Sequence, residues 1–127
     1  MLRELLKRDY VILDRAMGTN LFRKGLISGD CPESWNIEYP EKVSEIHESF
    51  VDAGSDIIVT NTFGGNQFRL KLHQLESKVK ELNFAGAKLA RECAGQNVHV
   101  AGSVGPSGEI LEPLGNLSYE LAVKAFA

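Results

Sequence analysis

The amino-acid sequence predicts an α/β protein in which parallel strands alternate with covering helices. Three continuous apolar runs of strand length occur along the chain, and amphipathic segments of helical length lie between and after them. Strands that are apolar without alternation are typical of a parallel sheet whose faces are buried by helices. Each run also ends in polar residues and a glycine-rich loop, which predicts a ligand face at one end of the sheet.

The three predicted strands are short and widely spaced. The first is "YVILD", residues 10–14, which stops at an acid. The second lies in "SDIIVTNTFGGN", residues 55–66, and the third in "NVHVAGSVGPSG", residues 97–108. A long connection, "MGTNLFRKGLISGDCPESWNIEY", follows the first strand, and connections of this length are often functional.

Helices are predicted from apolar periodicity and from their end residues. "PEKVSEIHESFVDAG" has Pro40 at its first position and a glycine at its end. "ESKVKELNFAGAKLARECAG" also ends at a glycine, and "SYELAVKAF" begins a further helix with Ser118 as its N-cap. The N-terminal "MLRELLKRDY" is a short amphipathic helix in this interpretation.

Polar side chains stand where each predicted strand ends. They are Asp14 on the first strand, Thr60, Asn61 and Thr62 on the second, and Ser103 on the third. Because the carboxyl ends of parallel strands form the ligand face of α/β proteins, these residues are expected to line one site. The alternative is structural: Asp14 caps a turn, and the threonine cluster satisfies backbone groups at the rim of the sheet.

Composition limits the classes of partner. The 127 residues carry a net charge of -3, with 43% hydrophobic and 24% charged residues, which is typical of a globular protein. This mild acidity predicts neither nucleic acid nor an anionic membrane as a partner. Charges interrupt the N-terminal leucines, so we expect a cytoplasmic protein without a secretory signal or membrane span.

The cysteines and histidines form no local metal motif. Cys31 and Cys93 are too far apart in sequence for a metal-ligand pair, and they do not form a disulfide framework. The three histidines fall in three different predicted elements, without a neighbouring ligand at helical spacing. We therefore expect two reduced cysteines and no metal ligand among these residues.

Four segments in series resemble the homocysteine S-methyltransferase family. "VILDRAMGTNL" is similar to its N-terminal Asp-Gly-Ala-Met-Gly-Thr signature, and "DAGSDIIVTNTFGGN" to its Ala-Gly-Ala-Asp-Ile-Ile-x-Thr-Asn-Thr-Phe signature. "VAGSVGPSGEILEPLG" resembles the third signature, and "CPESWNIEYPEKV" the segment between the first two. The resemblance covers essentially the whole chain. It implies a (β/α)₈ barrel that binds homocysteine as a zinc thiolate and methylates its sulfur to give methionine.

The resemblance also implies roles for named residues. Asp14 faces the ammonium group of homocysteine. The amino-acid pocket is lined by the backbone around Ala16 and Met17 together with Thr60 and Thr62, and supported by Asn61 and Ser103. Arg15 stands where the family signature has glycine, which departs from the usual pocket.

A complete barrel of this kind needs about 250 residues. This chain has sequence for the first three βα units, so residues 1–127 are expected to be the N-terminal part of a single homocysteine-binding domain. We expect Ile12, Ile58 and Val100 to line the inner face of that barrel. The family's zinc ligands are cysteines later in the barrel, so the zinc ligands are expected beyond residue 127.

The methyl donor is left open by the resemblance. "GLISGDCPESWN" and "GEILEPLG" are most similar to bacterial betaine-type members, whereas cobalamin-dependent methionine synthases share the first signatures. The donor is therefore betaine-like, or it is methylcobalamin with 5-methyltetrahydrofolate and cobalamin in a partner domain. Two other hypotheses remain: another TIM-barrel enzyme such as a lyase, or an inactive barrel fragment that serves only as an interaction surface.

Overall fold

A computed structural model of the protein describes residues 2–14 and 16–127. Arg15, at which the sequence departs from the family signature, lies outside the described residues. The helices are α1 (Leu2–Leu5), α2 (Met17–Arg23), α3 (Trp35–Glu38), α4 (Pro40–Asp52), α5 (Gln67–Lys71), α6 (Val79–Ala94) and α7 (Tyr119–Phe126), and the strands are β1 (Ile57–Val59) and β2 (His99–Ala101). Pro32–Ser34 and Glu76–Lys78 form 3-10 turns. No described helix has the length and apolar character to cross a bilayer.

The two strands pair in parallel, as the sequence predicts. Ile57 lies opposite His99, and the pairing continues along β1 and β2 to their last residues. The predicted strand at residues 10–14 joins the other side of β1 through one parallel bridge, from Leu13 to Ile57. On either side of this bridge a carboxylate takes a backbone N–H: Asp56 accepts from Ile12 at 3.0 Å, and Asp14 accepts from Val59 at 2.8 Å. The spatial order is therefore residues 10–14, then β1, then β2.

The helices cover the sheet face that carries Ile58. This side chain is fully buried and packs against Ala90 and Ala94 of α6, with the half-buried Val100 in the same cluster. The expectation that Ile58 and Val100 line the inner face was therefore wrong. The reason is that both faces of these strands are apolar, and a one-residue shift in register exchanges the faces. Leu13, Val59 and Ala101 line the opposite, cavity-facing side, whereas Ile12 is exposed.

The long helices begin and end where their terminal residues predict. Pro40 is the first residue of α4, and Gly54 follows that helix with a φ of 91°. The Ser118 hydroxyl caps α7 by accepting the Leu121 N–H at 3.3 Å. Sequence reasoning missed α2 and α3 within the long connection. It also missed α5, whose N-cap Asn66 accepts backbone N–H groups through its side chain.

The long connection after the first strand is folded onto α4. Leu21, Leu26 and Trp35 from the connection form one buried cluster with Val43 and Ile46 of α4. The Lys42 ammonium lies 4.6 Å from the centre of the Trp35 ring, a cation–π distance. The connection is thereby anchored, and its polar residues are carried to the end of β1.

His47 of α4 makes folding sensitive to acid. Its side chain is fully buried, and neither ring nitrogen has a hydrogen-bond partner among the described residues. Burial lowers the His47 pKa from 6.5 to about 4. The unfolded chain therefore binds a proton between pH 6.5 and 4 that the folded chain does not.

The contribution of His47 to the free energy of unfolding is expected to be greatest above pH 6.5 and to fall as the pH drops toward 4. The loss from this one group is on the order of 3 kcal/mol at pH 4. Urea unfolding of the natural polypeptide at several pH values, beside its His47→Leu variant, measures the effect. Equal pH dependence in the two proteins would contradict this account of His47.

Candidate functional site

A cavity of about 640 Å³ opens at the carboxyl ends of the strands. Its polar lining comes from every strand end and from the long connection, and includes Asp14, Glu33, Thr60, Asn61 and Ser103. Met17, from the start of α2, contributes an apolar wall. The structure thus brings most of the sequence-predicted site residues to one place.

Asp14 is the most unusual group in this cavity. Its side chain is only 5% exposed, and Oδ1 accepts the Val59 N–H at 2.8 Å. The other oxygen, Oδ2, is buried with no hydrogen-bond partner among the described residues. Burial raises the pKa of Asp14, and the bond from Val59 opposes that shift. A buried carboxylate oxygen in this state costs stability unless a cation or donor reaches it, which is typical of a ligand-binding group.

Two threonine hydroxyls join the ends of β1 and β2. The Ser103 N–H donates to Thr60 Oγ1 at 2.9 Å, and Thr62 Oγ1 donates to the Ser103 carbonyl at 2.8 Å. The two hydroxyl oxygens lie 2.6 Å apart. Since Thr62 uses its single proton on the carbonyl, Thr60 is the donor between them. Both hydroxyl protons are used within the protein, so these threonines hold the strand ends together and have no proton left to donate to a ligand.

Asn61 connects β1 to the long connection. Its Nδ2 donates to the Pro32 carbonyl at 2.8 Å and to Asn36 Oδ1 at 3.0 Å. Asn36 Nδ2 donates to the Asn61 carbonyl at 2.8 Å and to the Leu82 carbonyl of α6 at 3.2 Å. Both asparagines are buried. This amide pair ties a strand end, the connection and α6 into one unit.

Two predicted residues lie at the edge of the site. Ala16 is exposed at the N-cap of α2, where its carbonyl accepts hydrogen bonds from the backbone and side chain of Asn20. Thr62 borders an adjoining cavity between α6 and α7 and does not line the cavity that contains Asp14. The Asp14 cavity therefore contacts Thr60 directly and Thr62 only through the hydroxyl chain.

Glu33 is the site residue that sequence reasoning missed. It is 5% exposed, lines the same cavity as Asp14, and accepts the Gly64 N–H at 2.6 Å through Oε1. A signal was present, since this acid stands between Pro32 and Trp35 in a connection already predicted to be functional. Its burial depends on tertiary contacts that local sequence does not indicate.

The described residues do not fit a zinc centre. They contain no group of three or more histidine, cysteine or acidic side chains that could hold a metal ion. Burial and the charge of Glu33 raise the pKa of Cys31 to about 11, and burial also raises the pKa of Cys93. Zinc binds the thiolate, whereas these thiols stay protonated at neutral pH. We therefore assign neither thiol to a metal.

Parallel strands whose polar ends surround a cavity define this chain as an α/β protein with a candidate ligand site at the strand ends. The particular family follows from comparison with known proteins. A sequence model of the family described as homocysteine S-methyltransferase matches residues 11–127, and the chain belongs to that family.

Individual relatives agree with this assignment. The methionine synthase of Mycobacterium leprae is 32% identical over 98% of this chain, and that of Mycobacterium tuberculosis is 31% identical over the same share. The chain spans about a tenth of the length of either relative, 11% in both cases.

Solved structures give the same result. The metallated form of the homocysteine methyltransferase MmuM from Escherichia coli matches 84% of this chain with a TM-score of 0.71 and 29% identity. The oxidized form matches the same share with a TM-score of 0.72 and 32% identity. The chain covers 42% and 41% of those two structures, respectively.

Proposed function

We propose that this chain supplies the amino-acid end of the substrate site in a homocysteine S-methyltransferase. Such an enzyme transfers a methyl group from a donor to the sulfur of homocysteine and forms methionine. The observation that carries the proposal is the buried Asp14 carboxylate, which lines the cavity and whose Oδ2 has no hydrogen-bond partner among the described residues. An α-ammonium group is a compact cation with several donors, and it would satisfy that oxygen.

In this proposal the remaining residues of the site hold the substrate and the strand ends in place. The backbone around Ala16 and Met17 lines the amino-acid pocket together with Thr60. Thr60 and Ser103 keep the ends of β1 and β2 in register through the hydroxyl chain. Asn61 fixes the end of β1 to the long connection. The substrate is therefore held at its amino-acid end by groups that do not have to move during the reaction.

The sulfur of homocysteine lies outside this assignment. Zinc, which the resemblance implies as the partner of the thiolate, finds no ligand set among the described residues. Its ligands in this proposal lie outside the described residues. The methyl donor in this proposal is betaine-like or methylcobalamin.

The proposal includes the architecture of the domain. Residues 1–127 form the first three βα units of one (β/α)₈ barrel, with residues 10–14, β1 and β2 as its first strands. Support comes from the parallel order of these segments and from α4 and α6, which pack on the face that is outward in a barrel. The match to about two fifths of the solved MmuM structures agrees with three of eight units.

A methionine assay tests the proposed activity. The natural polypeptide that contains residues 1–127 is incubated with homocysteine and each donor in turn: betaine, and 5-methyltetrahydrofolate with cobalamin. Methionine is expected with one donor class, and none is expected when homoserine replaces homocysteine. If no donor gives methionine and homocysteine does not bind, the methyltransferase proposal is wrong, and an interaction surface or another barrel enzyme takes its place.

A further inference from the structure

The Glu33 carboxylate connects the long connection to the turn after β1. Oε1 accepts the Gly64 N–H at 2.6 Å, and Oε2 lies 3.4 Å from the Cys31 sulfur, which donates to it. Both oxygens therefore have donors within the protein. A carboxylate used in this way orders backbone, because a charge-assisted hydrogen bond in a buried setting is short and strong.

Gly64 has the shape that this contact needs. A Cβ atom built at residue 64 would lie 3.0 Å from Glu33 Oε1 and 3.2 Å from Oε2. Gly64 is not one of the glycines with a positive φ, so another residue could adopt its backbone conformation. Glycine at residue 64 therefore leaves the space that the Glu33 carboxylate needs to reach the Gly64 N–H.

The turn held by Glu33 carries Phe63, which lines the Asp14 cavity, and Thr62, which borders the adjoining cavity. Thr62 and Phe63 directly precede Gly64, and the Phe63 side chain lines the cavity that contains Asp14. On its other side the turn is fixed by the Gly105 N–H, which donates to the Phe63 carbonyl at 2.9 Å. Glu33 and Gly105 thus hold the turn from opposite sides.

We propose that Glu33 is a positioning residue of the homocysteine site, acting through the Gly64 amide on the turn that carries Thr62 and Phe63. The inference rests on the proposed function for its substrate. The hydrogen bond between the Glu33 carboxylate and the Gly64 N–H can be tested without substrate. These two parts can therefore fail separately.

Homocysteine titration of the natural polypeptide tests the role in binding. Glu33→Ala is expected to weaken affinity about tenfold, the scale of one lost charge-assisted hydrogen bond. Glu33→Gln keeps an acceptor oxygen at the same reach and should recover most of that loss. Wild-type affinity in Glu33→Ala overturns the proposal, and so does a Glu33→Gln variant as weak as Glu33→Ala.

A double-variant cycle tests the route through Gly64. Gly64→Ala alone should weaken homocysteine binding, because the new Cβ displaces the carboxylate. The same change in the Glu33→Ala background should have little further effect, since the displaced group is gone. Ala94→Gly, at the far end of α6, is the matched control that lowers stability without touching the turn, and its affinity should stay at the wild-type value. An equal Gly64→Ala effect with and without Glu33 contradicts the proposed route.

Hydrogen–deuterium exchange supplies a readout that does not depend on substrate. Peptides that contain the Gly64 amide should exchange slowly in the wild-type protein and in Glu33→Gln, and faster in Glu33→Ala. Unchanged exchange in Glu33→Ala overturns the contact. If exchange changes as expected while the wild-type protein binds no homocysteine, the contact stands and the proposed function fails.

Discussion

Asp14→Asn is expected to weaken homocysteine binding by about 1–3 kcal/mol, the range for a hydrogen bond to a charged group. The same substitution should raise thermal stability at neutral pH. The amide oxygen can still accept the Val59 N–H, while the buried charge on Oδ2 is removed. Opposite effects on binding and stability are typical of a residue kept for function. Titration calorimetry and thermal melts of the natural polypeptide measure both quantities.

The stability gain expected from Asp14→Asn depends on pH in a defined direction. Because burial raises the Asp14 pKa in the folded protein, the folded state binds the carboxyl proton of Asp14 more tightly than the unfolded state does. Protonation of Asp14 therefore stabilises the folded protein at low pH, and this stabilisation is lost as the pH rises through the raised pKa. The gain in stability from Asp14→Asn should accordingly shrink as the pH is lowered.

Asp56→Asn is the matched control for Asp14→Asn. Asp56 precedes β1 at the opposite end of the sheet, where its carboxylate pairs with Arg8 and accepts the Ile12 N–H. Its loss should leave homocysteine affinity unchanged. A destabilised Asp14→Asn protein with normal affinity would identify Asp14 as a structural cap of β1.

The isolated 127-residue chain is expected not to form a stable monomer. The cavity side of the sheet has no opposing layer among the described residues, and the cavity-lining Leu13 and Val104 are 45% and 75% exposed. Residues 10–14 and β2 each pair on one side only within the described part of the chain, so both sheet edges stay open. At about 25 cal/mol per Å², the missing burial can match the 5–15 kcal/mol that stabilises a whole domain.

Sedimentation, a thermal melt and a zinc assay on the purified chain check this expectation. Association or a broad, non-cooperative melt should appear, with no stoichiometric zinc. A cooperative melt from a monomer would mean that residues 1–127 fold independently. One tightly bound zinc per chain would overturn the placement of the metal ligands outside these residues.

Local sequence signals predicted the ends of α4 and α7 and the polar residues at the strand ends. Proline and glycine mark the limits of α4, and Ser118 caps α7, because capping is a local property. Asp14, Thr60 and Ser103 meet because parallel strands present their carboxyl ends on one side of a sheet. These features need only neighbouring residues or a topological rule.

The remaining features depend on contacts between distant segments. Glu33 resembles a solvated acid in sequence, and it becomes a buried site residue only when Gly64 comes within reach. Ile58 was assigned to the wrong face because an apolar run does not indicate which side the helices cover. Thr60 and Thr62 were predicted to line the amino-acid pocket. Thr60 lines the cavity, and the hydroxyl chain from Thr60 through Thr62 to Ser103 could not be read from local sequence.

The most direct test of the central claim deletes the ammonium group from the ligand. Homocysteine and 4-mercaptobutanoic acid, which lacks the α-amino group, are titrated into the wild-type natural polypeptide and its Asp14→Asn variant. The account predicts that the wild-type protein prefers homocysteine by about tenfold or more, ~1.4 kcal/mol, and that Asp14→Asn removes most of this preference. The same preference in both proteins would contradict the claim that Asp14 holds the substrate ammonium.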